Sequence, residues 1–204
     1  MERARYVLAA LLVLGMPPAL AFWFVVHPFV GFWRRVGPGV MLGGFFASYL
    51  LYMVALWPLR DLFLIRDLGF DPRLLALAIP LFLLSVVVQV RRKKHLSWRI
   101  LTGVPEVSGE AGGGELLTEG IYGVIRHPRY LELVVGLAAW CLLLNYLGLY
   151  VILGLTVVLL PPIVRLEERE LAQRFGAAYA DYRRRVPAFV PRRLIDLVRG
   201  PAGS

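Results

Sequence analysis

A short run of polar residues, Arg126-His127-Pro128-Arg129-Tyr130, stands immediately before a long apolar stretch. It combines two guanidinium groups, a titratable imidazole and a phenol. Ionisable groups at the mouth of a membrane helix are costly and usually functional. Each residue taken singly also has a structural interpretation. The arginines could fix topology, His127-Pro128 could start a helix, and Tyr130 could belong to an interfacial aromatic belt.

Three glutamates complete the set of residues that could take part in catalysis or ligand binding. Glu132 lies inside the apolar stretch, so it must face the interior of a helix bundle or the headgroup boundary. Glu167 and Glu168 follow the last long apolar run, where they could simply pair with neighbouring arginines. Whether these glutamates form ion pairs or a functional site therefore depends on the helices that position them.

Membrane helices are the elements that the composition predicts. Of the 204 residues, 58% are hydrophobic and 18% are charged, a balance that a water-soluble domain with a polar shell cannot easily reach. A helix that spans the hydrocarbon core needs roughly 20 apolar residues, with about 17 as the lower limit. Five stretches meet or nearly meet this length: 6–26, 36–59, 74–90, 131–147 and 148–164.

After the fifth stretch the pattern changes to that of an amphipathic helix. Glu168, Leu171, Phe175, Tyr179 and Tyr182 follow one another at spacings of three or four, which places them on one helical face. Such a helix lies at the cytoplasmic membrane interface or folds back on the helix bundle. The predicted fold class is an all-α integral membrane protein with five transmembrane helices and a cytoplasmic amphipathic C-terminal helix.

The distribution of Lys and Arg predicts the orientation. Most of the 23 cations fall in the 27–35 loop, the 91–130 segment and the C-terminal tail, which makes that face cytoplasmic and places the N-terminus outside. The net charge of +9 indicates topology determinants and contacts with anionic lipid headgroups more than nucleic-acid binding, because the cations flank apolar runs. The 126–130 run and Glu167 thus share one face, and the two last spans form the hairpin that brings them together.

Several short patterns follow one another between about residues 116 and 191. They are L-x-x-G-x-Y from Leu117, R-H-P-x-Y from Arg126, E-E-x-x-L from Glu167, F-G-x-x-Y-x-x-Y from Phe175, and V-P at Val186. In order and spacing, this series resembles the isoprenylcysteine carboxyl methyltransferase and phospholipid methyltransferase superfamily. The first three spans match it only as hydrophobic helices.

The resemblance implies a membrane-embedded methyltransferase that binds S-adenosylmethionine at the cytoplasmic surface and takes a lipidic acceptor from the bilayer. The implied cofactor-binding residues are Gly114, Glu115, Leu116, Leu117, Tyr122, His127, Pro128, Arg129, Tyr130 and Glu167. The implied catalytic residues are Arg126, Glu132, Glu167 and Glu168. No metal is implied. Glu167 is expected to stabilise the cofactor's cationic groups, and Arg126 to clamp its carboxylate.

One single domain accommodates these roles. Residues 1–92 form a three-helix scaffold, 93–130 a cytoplasmic loop, 131–165 a helical hairpin, and 166–199 an interfacial helix that completes the cofactor pocket. The ratio of 21 Arg to 2 Lys indicates a GC-rich prokaryotic genome, hence a prokaryotic cytoplasmic membrane. The oligomeric state and the identity of the acceptor stay open.

Two departures from the family pattern bear on the acceptor. Glu132 stands where the family often has a small residue, and Ile163 stands near the position of a substrate-contacting arginine, the nearest here being Arg165. The second departure disfavours prenylated-protein substrates and leaves a lipid or small hydrophobic acceptor. A carboxylate acceptor needs no base, whereas an amine or thiol must lose a proton, for which Glu132 or Glu168 could serve.

Two alternatives remain. The NADPH-dependent sterol reductases also have an R-H-P-x-Y motif after a membrane helix. They normally have Asn in place of Arg129 and Trp near the position of Tyr179, so both positions favour the methyltransferase. The other alternative is a non-catalytic membrane protein with the same fold.

Overall fold

The structure is a computed structural model that describes residues 2–26, 28–93 and 116–199. Within these ranges the regular elements are helices, and a single isolated antiparallel bridge joins Asp67 to Tyr146. The helices are α1 Glu2–Val26, α2 Val30–Val36, α3 Pro38–Leu56, α4 Arg60–Leu64, α5 Pro72–Lys93, α6 Pro128–Leu144, α7 Leu147–Phe175, α8 Ala177–Arg185 and α9 Asp196–Arg199. The predicted all-helical class is confirmed for this part of the chain.

Among the described residues, four helical runs are long and apolar enough to cross a membrane, which fits an integral membrane protein. They are Glu2–Val26, Pro38–Leu64, Pro72–Lys93 and Leu147–Phe175. The predicted span 131–147 corresponds to α6, which has 17 residues. At 1.5 Å per residue it is about 26 Å long, less than the roughly 30 Å of the hydrocarbon core. The predicted count of five spans is therefore not confirmed.

The last long helix extends further than the sequence predicts. α7 continues through Pro161 and Pro162 and ends only at Phe175, so it carries Glu167 and Glu168 itself. Membrane helices tolerate internal proline because neighbouring groups can satisfy the freed carbonyls. Gly176 ends the helix with a φ of 54°, a region that favours glycine. The predicted amphipathic stripe is thus divided between α7 and α8.

Close packing fixes the α6–α7 hairpin against the N-terminal helices. α6 lies along α5, and small residues of α1, among them Ala9 and Ala10, share a buried cluster with Leu137 of α6 and Leu149 of α7. At Gly148 the α7 backbone approaches α4 so closely that an added Cβ would lie 1.9 Å from the carbonyl oxygen of Phe63. The start of α7 is therefore held directly against α4.

The hairpin tip is also held by polar contacts. Asn145 ends α6 in the left-handed region, and its side-chain amide donates to the Gly69 carbonyl at 2.8 Å. The Arg5 guanidinium donates to both carboxylate oxygens of Asp67, at 2.7 and 2.5 Å, and to the Leu144 carbonyl at 2.7 Å. The hydrogen bond from Arg5 lowers the pKa of Asp67 to about 2. With its tip fixed, the antiparallel hairpin brings its two other ends together at the opposite end of the bundle.

Candidate functional site

The segment before α6 is fastened to the C-terminal tail by its backbone. The Arg126 amide donates to the Pro187 carbonyl at 2.9 Å, and the His127 amide donates to the Ala188 carbonyl at 3.0 Å. Pro128 then occupies the first turn of α6, where its missing N–H has no cost. The tail, the start of α6 and α7 therefore meet at one place, as the sequence predicted.

Glu168 is the centre of this meeting point. Its Oε1 accepts from Arg126 Nη2 at 2.6 Å and from Nε at 3.2 Å, and lies 3.2 Å from His127 Nε2. Its Oε2 lies 3.5 Å from Arg183 Nε. The side chains of Arg126 and Glu168 are only 9% and 11% exposed, so the pair is largely removed from water.

Arg126 binds the tail as well as the glutamate. Its Nη1 donates to the carbonyl oxygens of Arg183, at 3.1 Å, and of Val186. Together with the two bonds to Glu168, four of its five N–H donors are engaged. Arg126 and Glu168 thus join α7, the start of α6 and the tail.

Glu167, the preceding residue on α7, has different surroundings. Its Oε2 is buried, lies 3.7 Å from His127 Nδ1, and accepts no hydrogen bond from the described residues. The side chain as a whole is 30% exposed. A buried carboxylate oxygen without a donor is unfavourable unless a ligand supplies one. The carboxylate of Glu167 thus has a buried oxygen that no described donor satisfies, whereas Oε1 of Glu168 is bound by Arg126.

Aromatic side chains surround the cluster. The centre of the His127 ring lies 5.9 Å from that of Tyr130 and 5.7 Å from that of Phe189. Phe189 is not among the residues predicted from the sequence. The Tyr182 hydroxyl donates to the Tyr122 carbonyl at 2.7 Å. Burial raises the pKa of Tyr122 and of Tyr182, so both phenols stay neutral at physiological pH.

The remaining predicted cofactor residues fall into two groups. Leu116 and Leu117 are half-buried at the beginning of the last described range, and Arg129 is half-buried in the first turn of α6. Gly114 and Glu115 lie outside the described residues. The cofactor-binding roles of all these residues stay predictions.

Glu132 lies apart from the Glu168 cluster, on the face of α6 that packs against α5. Its Oε2 accepts from Arg92 Nε at 2.8 Å, its Oε1 accepts from Gln89 Nε2 at 3.0 Å, and its side chain is 14% exposed. A base role for Glu132 stays a prediction, and this pairing disfavours it because both oxygens are occupied. Sequence reasoning missed Arg92, since the run 91–94 has the form of a topology determinant at a helix end.

Comparisons with known proteins give partial matches. The chain is 37% identical over 86 residues to a cobalt-zinc-cadmium resistance protein of Cupriavidus metallidurans, covering 42% of this chain and 38% of that protein. It is 38% identical over 85 residues to methanethiol S-methyltransferase 2 of Bradyrhizobium diazoefficiens, covering 41% and 31%. It is 34% identical over 91 residues to the mouse Delta(14)-sterol reductase TM7SF2, covering 41% and 22%.

Each of these matches therefore spans less than half of this chain and less than half of the relative. No family model matches the chain, and no solved structure matches it. The resemblance noted in the sequence is supported in part, since a methyltransferase and a sterol reductase both match. These partial similarities suggest a membrane enzyme and leave the enzyme type open.

Proposed function

We propose that this protein is a membrane-embedded S-adenosylmethionine-dependent methyltransferase that acts on a lipidic or hydrophobic small-molecule acceptor at the cytoplasmic membrane face. The observation that carries the proposal is the buried Oε2 of Glu167, which lies 3.7 Å from His127 Nδ1 and accepts no hydrogen bond from the described residues. The similarity to a methanethiol S-methyltransferase supports it. The orientation, with the N-terminus outside a prokaryotic cytoplasmic membrane, belongs to the same proposal.

The residues of the cluster fit this cofactor. S-adenosylmethionine supplies a methyl group on a sulfonium, together with an ammonium, a carboxylate and an adenine ring. The buried Glu167 oxygen can accept from the ammonium, and the aromatic rings of Tyr122 and Tyr130 provide apolar surfaces suited to the adenine. The neutral Tyr122 phenol adds no negative charge that would compete with Glu167.

The structure modifies the role expected for Arg126. Four of its N–H donors already bind protein atoms, which leaves one N–H for a ligand instead of the two that a bidentate clamp needs. We assign Arg126 and Glu168 to holding the tail and α7 around the pocket. Glu168 is also a poor general base in this setting, because Arg126 and His127 share its Oε1.

A second candidate is an NADPH-dependent oxidoreductase of the sterol-reductase kind. The observation that favours it is the 34% identity to the mouse Delta(14)-sterol reductase TM7SF2 over 91 residues. NADPH brings phosphate groups, for which arginines are the usual partners. A carboxylate oxygen that needs a donor, as in Glu167, suits a cationic ligand better.

Calorimetric titration of the detergent-purified protein with S-adenosylmethionine, S-adenosylhomocysteine and NADPH separates the candidates. We expect the first two to bind and NADPH not to bind. Binding of NADPH alone would replace the methyltransferase by the oxidoreductase. Binding of none of the three would favour a non-catalytic membrane protein.

The Glu167→Gln variant tests the residue that carries the proposal. A neutral amide loses the charge that faces the ammonium, and we expect affinity for S-adenosylmethionine to fall about tenfold or more. Glu119→Gln is the matched control, since Glu119 is exposed before the 3₁₀ turn Gly120–Gly123. Equal affinities of both variants and the wild type would show that Glu167 does not contact the cofactor.

A further inference from the structure

A cavity of about 330 Å³ lies between α1, α5 and α6. Its apolar wall includes Leu12 and Met16 of α1 and Leu133 and Trp140 of α6. Its polar part contains the side chains of Ser85, Arg92, Arg129 and Glu132. The volume falls at the lower end of the range for small-molecule pockets, roughly 300–1,000 Å³. A molecule that fills it must therefore be small and must have both an apolar and a polar part.

Arg92 is the residue that defines the polar part. The residue is 5% exposed, its Nε donates to Glu132, and its Nη1 is buried without a hydrogen bond to any described residue. The two oxygens of Glu132 accept from Arg92 Nε and Gln89 Nε2, and neither accepts from Arg92 Nη1. A buried cationic donor without an acceptor is costly, so the arrangement suits a ligand that brings one.

We propose that this cavity is the acceptor subsite of the enzyme and that it binds a small amphiphile with an anionic head group, held by Arg92 Nη1. The proposal rests on the proposed methyltransferase function. An anion suits the unsatisfied Nη1 donor of Arg92 better than a neutral head group does in a medium of low dielectric constant. The hydrocarbon part lies along the leucines and Trp140.

The position of the cavity fits this role. Arg129 and Tyr130 line it and also belong to the predicted cofactor set. The polar part of the cavity therefore borders the proposed cofactor pocket, as an acceptor subsite must. Glu132 has a positioning role here, because its bond to Nε orients the Arg92 guanidinium and leaves Nη1 for the ligand.

A photoactivatable decanoate tests the subsite in the full-length purified protein. Decanoate with a terminal diazirine is crosslinked and mapped by mass spectrometry, and unlabelled decanoate, decanol and decyltrimethylammonium serve as competitors. S-adenosylhomocysteine binding is measured in parallel by calorimetry. We expect crosslinks in the lining residues of α1 and α6 and competition by decanoate alone.

Arg92→Lys isolates the head-group contact. Lysine keeps a cation beside Glu132 but loses the planar fork that provides Nη1, so we expect decanoate affinity to fall about ten- to a hundredfold. Arg91→Lys, one residue earlier on α5 and outside the cavity lining, is the matched control. A double variant, Arg92→Gln with Glu132→Gln, removes both charges together and keeps the test valid if the single variant is unstable.

Three results would overturn the proposal. Decanol could compete as well as decanoate, which would indicate a neutral ligand such as a sterol. Decanoate affinity could be unchanged in both Arg92 variants. S-adenosylhomocysteine affinity could fall together with that of decanoate, which would place Arg92 in the cofactor pocket. If decanoate binds through Arg92 while S-adenosylhomocysteine does not bind the wild type, the anion site stands and the methyltransferase proposal fails.

Discussion

Replacing Glu168 by Gln removes the carboxylate charge that Arg126, His127 and Arg183 share. Removing one partner of a buried ion pair typically costs about 3–5 kcal/mol, because the other charge stays buried and unpaired. The amide keeps one acceptor oxygen toward Arg126, and two backbone carbonyls still bind its guanidinium. We therefore expect the free energy of unfolding to decrease by an amount near the lower limit, about 3 kcal/mol.

Thermal unfolding of the detergent-purified protein measures this loss. For a chain of about 200 residues, about 3 kcal/mol corresponds to a decrease in Tm of about 6–12 °C. Glu167→Gln is the internal comparison, since it changes the neighbouring residue of α7 in the same chemical way. The buried oxygen of Glu167 accepts no hydrogen bond from the described residues. We expect Glu167→Gln to leave Tm nearly unchanged and to weaken cofactor binding.

The two variants thus separate a positioning role from a binding role. A Tm for Glu168→Gln equal to that of the wild type would refute the structural role of the Arg126–Glu168 pair. Equal losses of Tm in both variants would refute the distinction between the two glutamates. Arg126→Met with Glu168→Leu should recover part of the stability lost in Glu168→Gln, because replacing both members of a buried pair leaves no unpaired charge.

Two predictions concern the scaffold that holds the hairpin. Because Arg5 lowers the pKa of Asp67 to about 2, against about 3.9 in an unfolded chain, this pair stabilises the fold fully above about pH 4 and loses its contribution as the pH falls toward 2. Melting curves across this window should show a smaller loss in Asp67→Asn than in the wild type, because Glu168, a carboxylate that is also paired with cations, still contributes in both proteins. Gly148→Ala should destabilise by about 1–3 kcal/mol or more, because its Cβ would meet the Phe63 carbonyl at 1.9 Å. Gly154→Ala in the same helix, where a Cβ meets nothing within 4 Å, should have no such effect, and equal melting of the two variants would contradict the close contact of α4 and α7.

The meeting of the 126–130 segment with the glutamates could be predicted because it depends on connectivity. Two antiparallel helices joined by a short turn must place the start of one beside the end of the other. Which glutamate pairs with Arg126 could not be predicted. Successive helical residues point about 100° apart, so a small rotation of α7 decides whether Glu167 or Glu168 faces Arg126. Only the packed structure specifies that rotation.

Other features depended on contacts between elements distant in sequence. Arg92 has the same local pattern as a topology-determining cation, and only the packing of α5 along α6 places it beside Glu132. The continuation of α7 through Pro161 and Pro162 likewise contradicts the local preference of proline. The apolar pattern gives the correct length of α6 but places it three residues too late, because the helix already begins at Pro128 within the polar run and ends at Leu144.

The unsatisfied oxygen of Glu167 has a physical explanation in the contacts of its neighbour. Arg126 directs its donors to Glu168 and to the tail carbonyls, and His127 Nε2 lies beside Glu168, so the nearby cation is already engaged. Glu167 precedes Glu168 on the same continuous helix, and its Oε2 lies 3.7 Å from His127 Nδ1. The Arg126–Glu168 pair holds α7 against the start of α6 and the tail, so we expect that loosening the pair lowers stability and, on the proposed function, also the affinity for the cofactor.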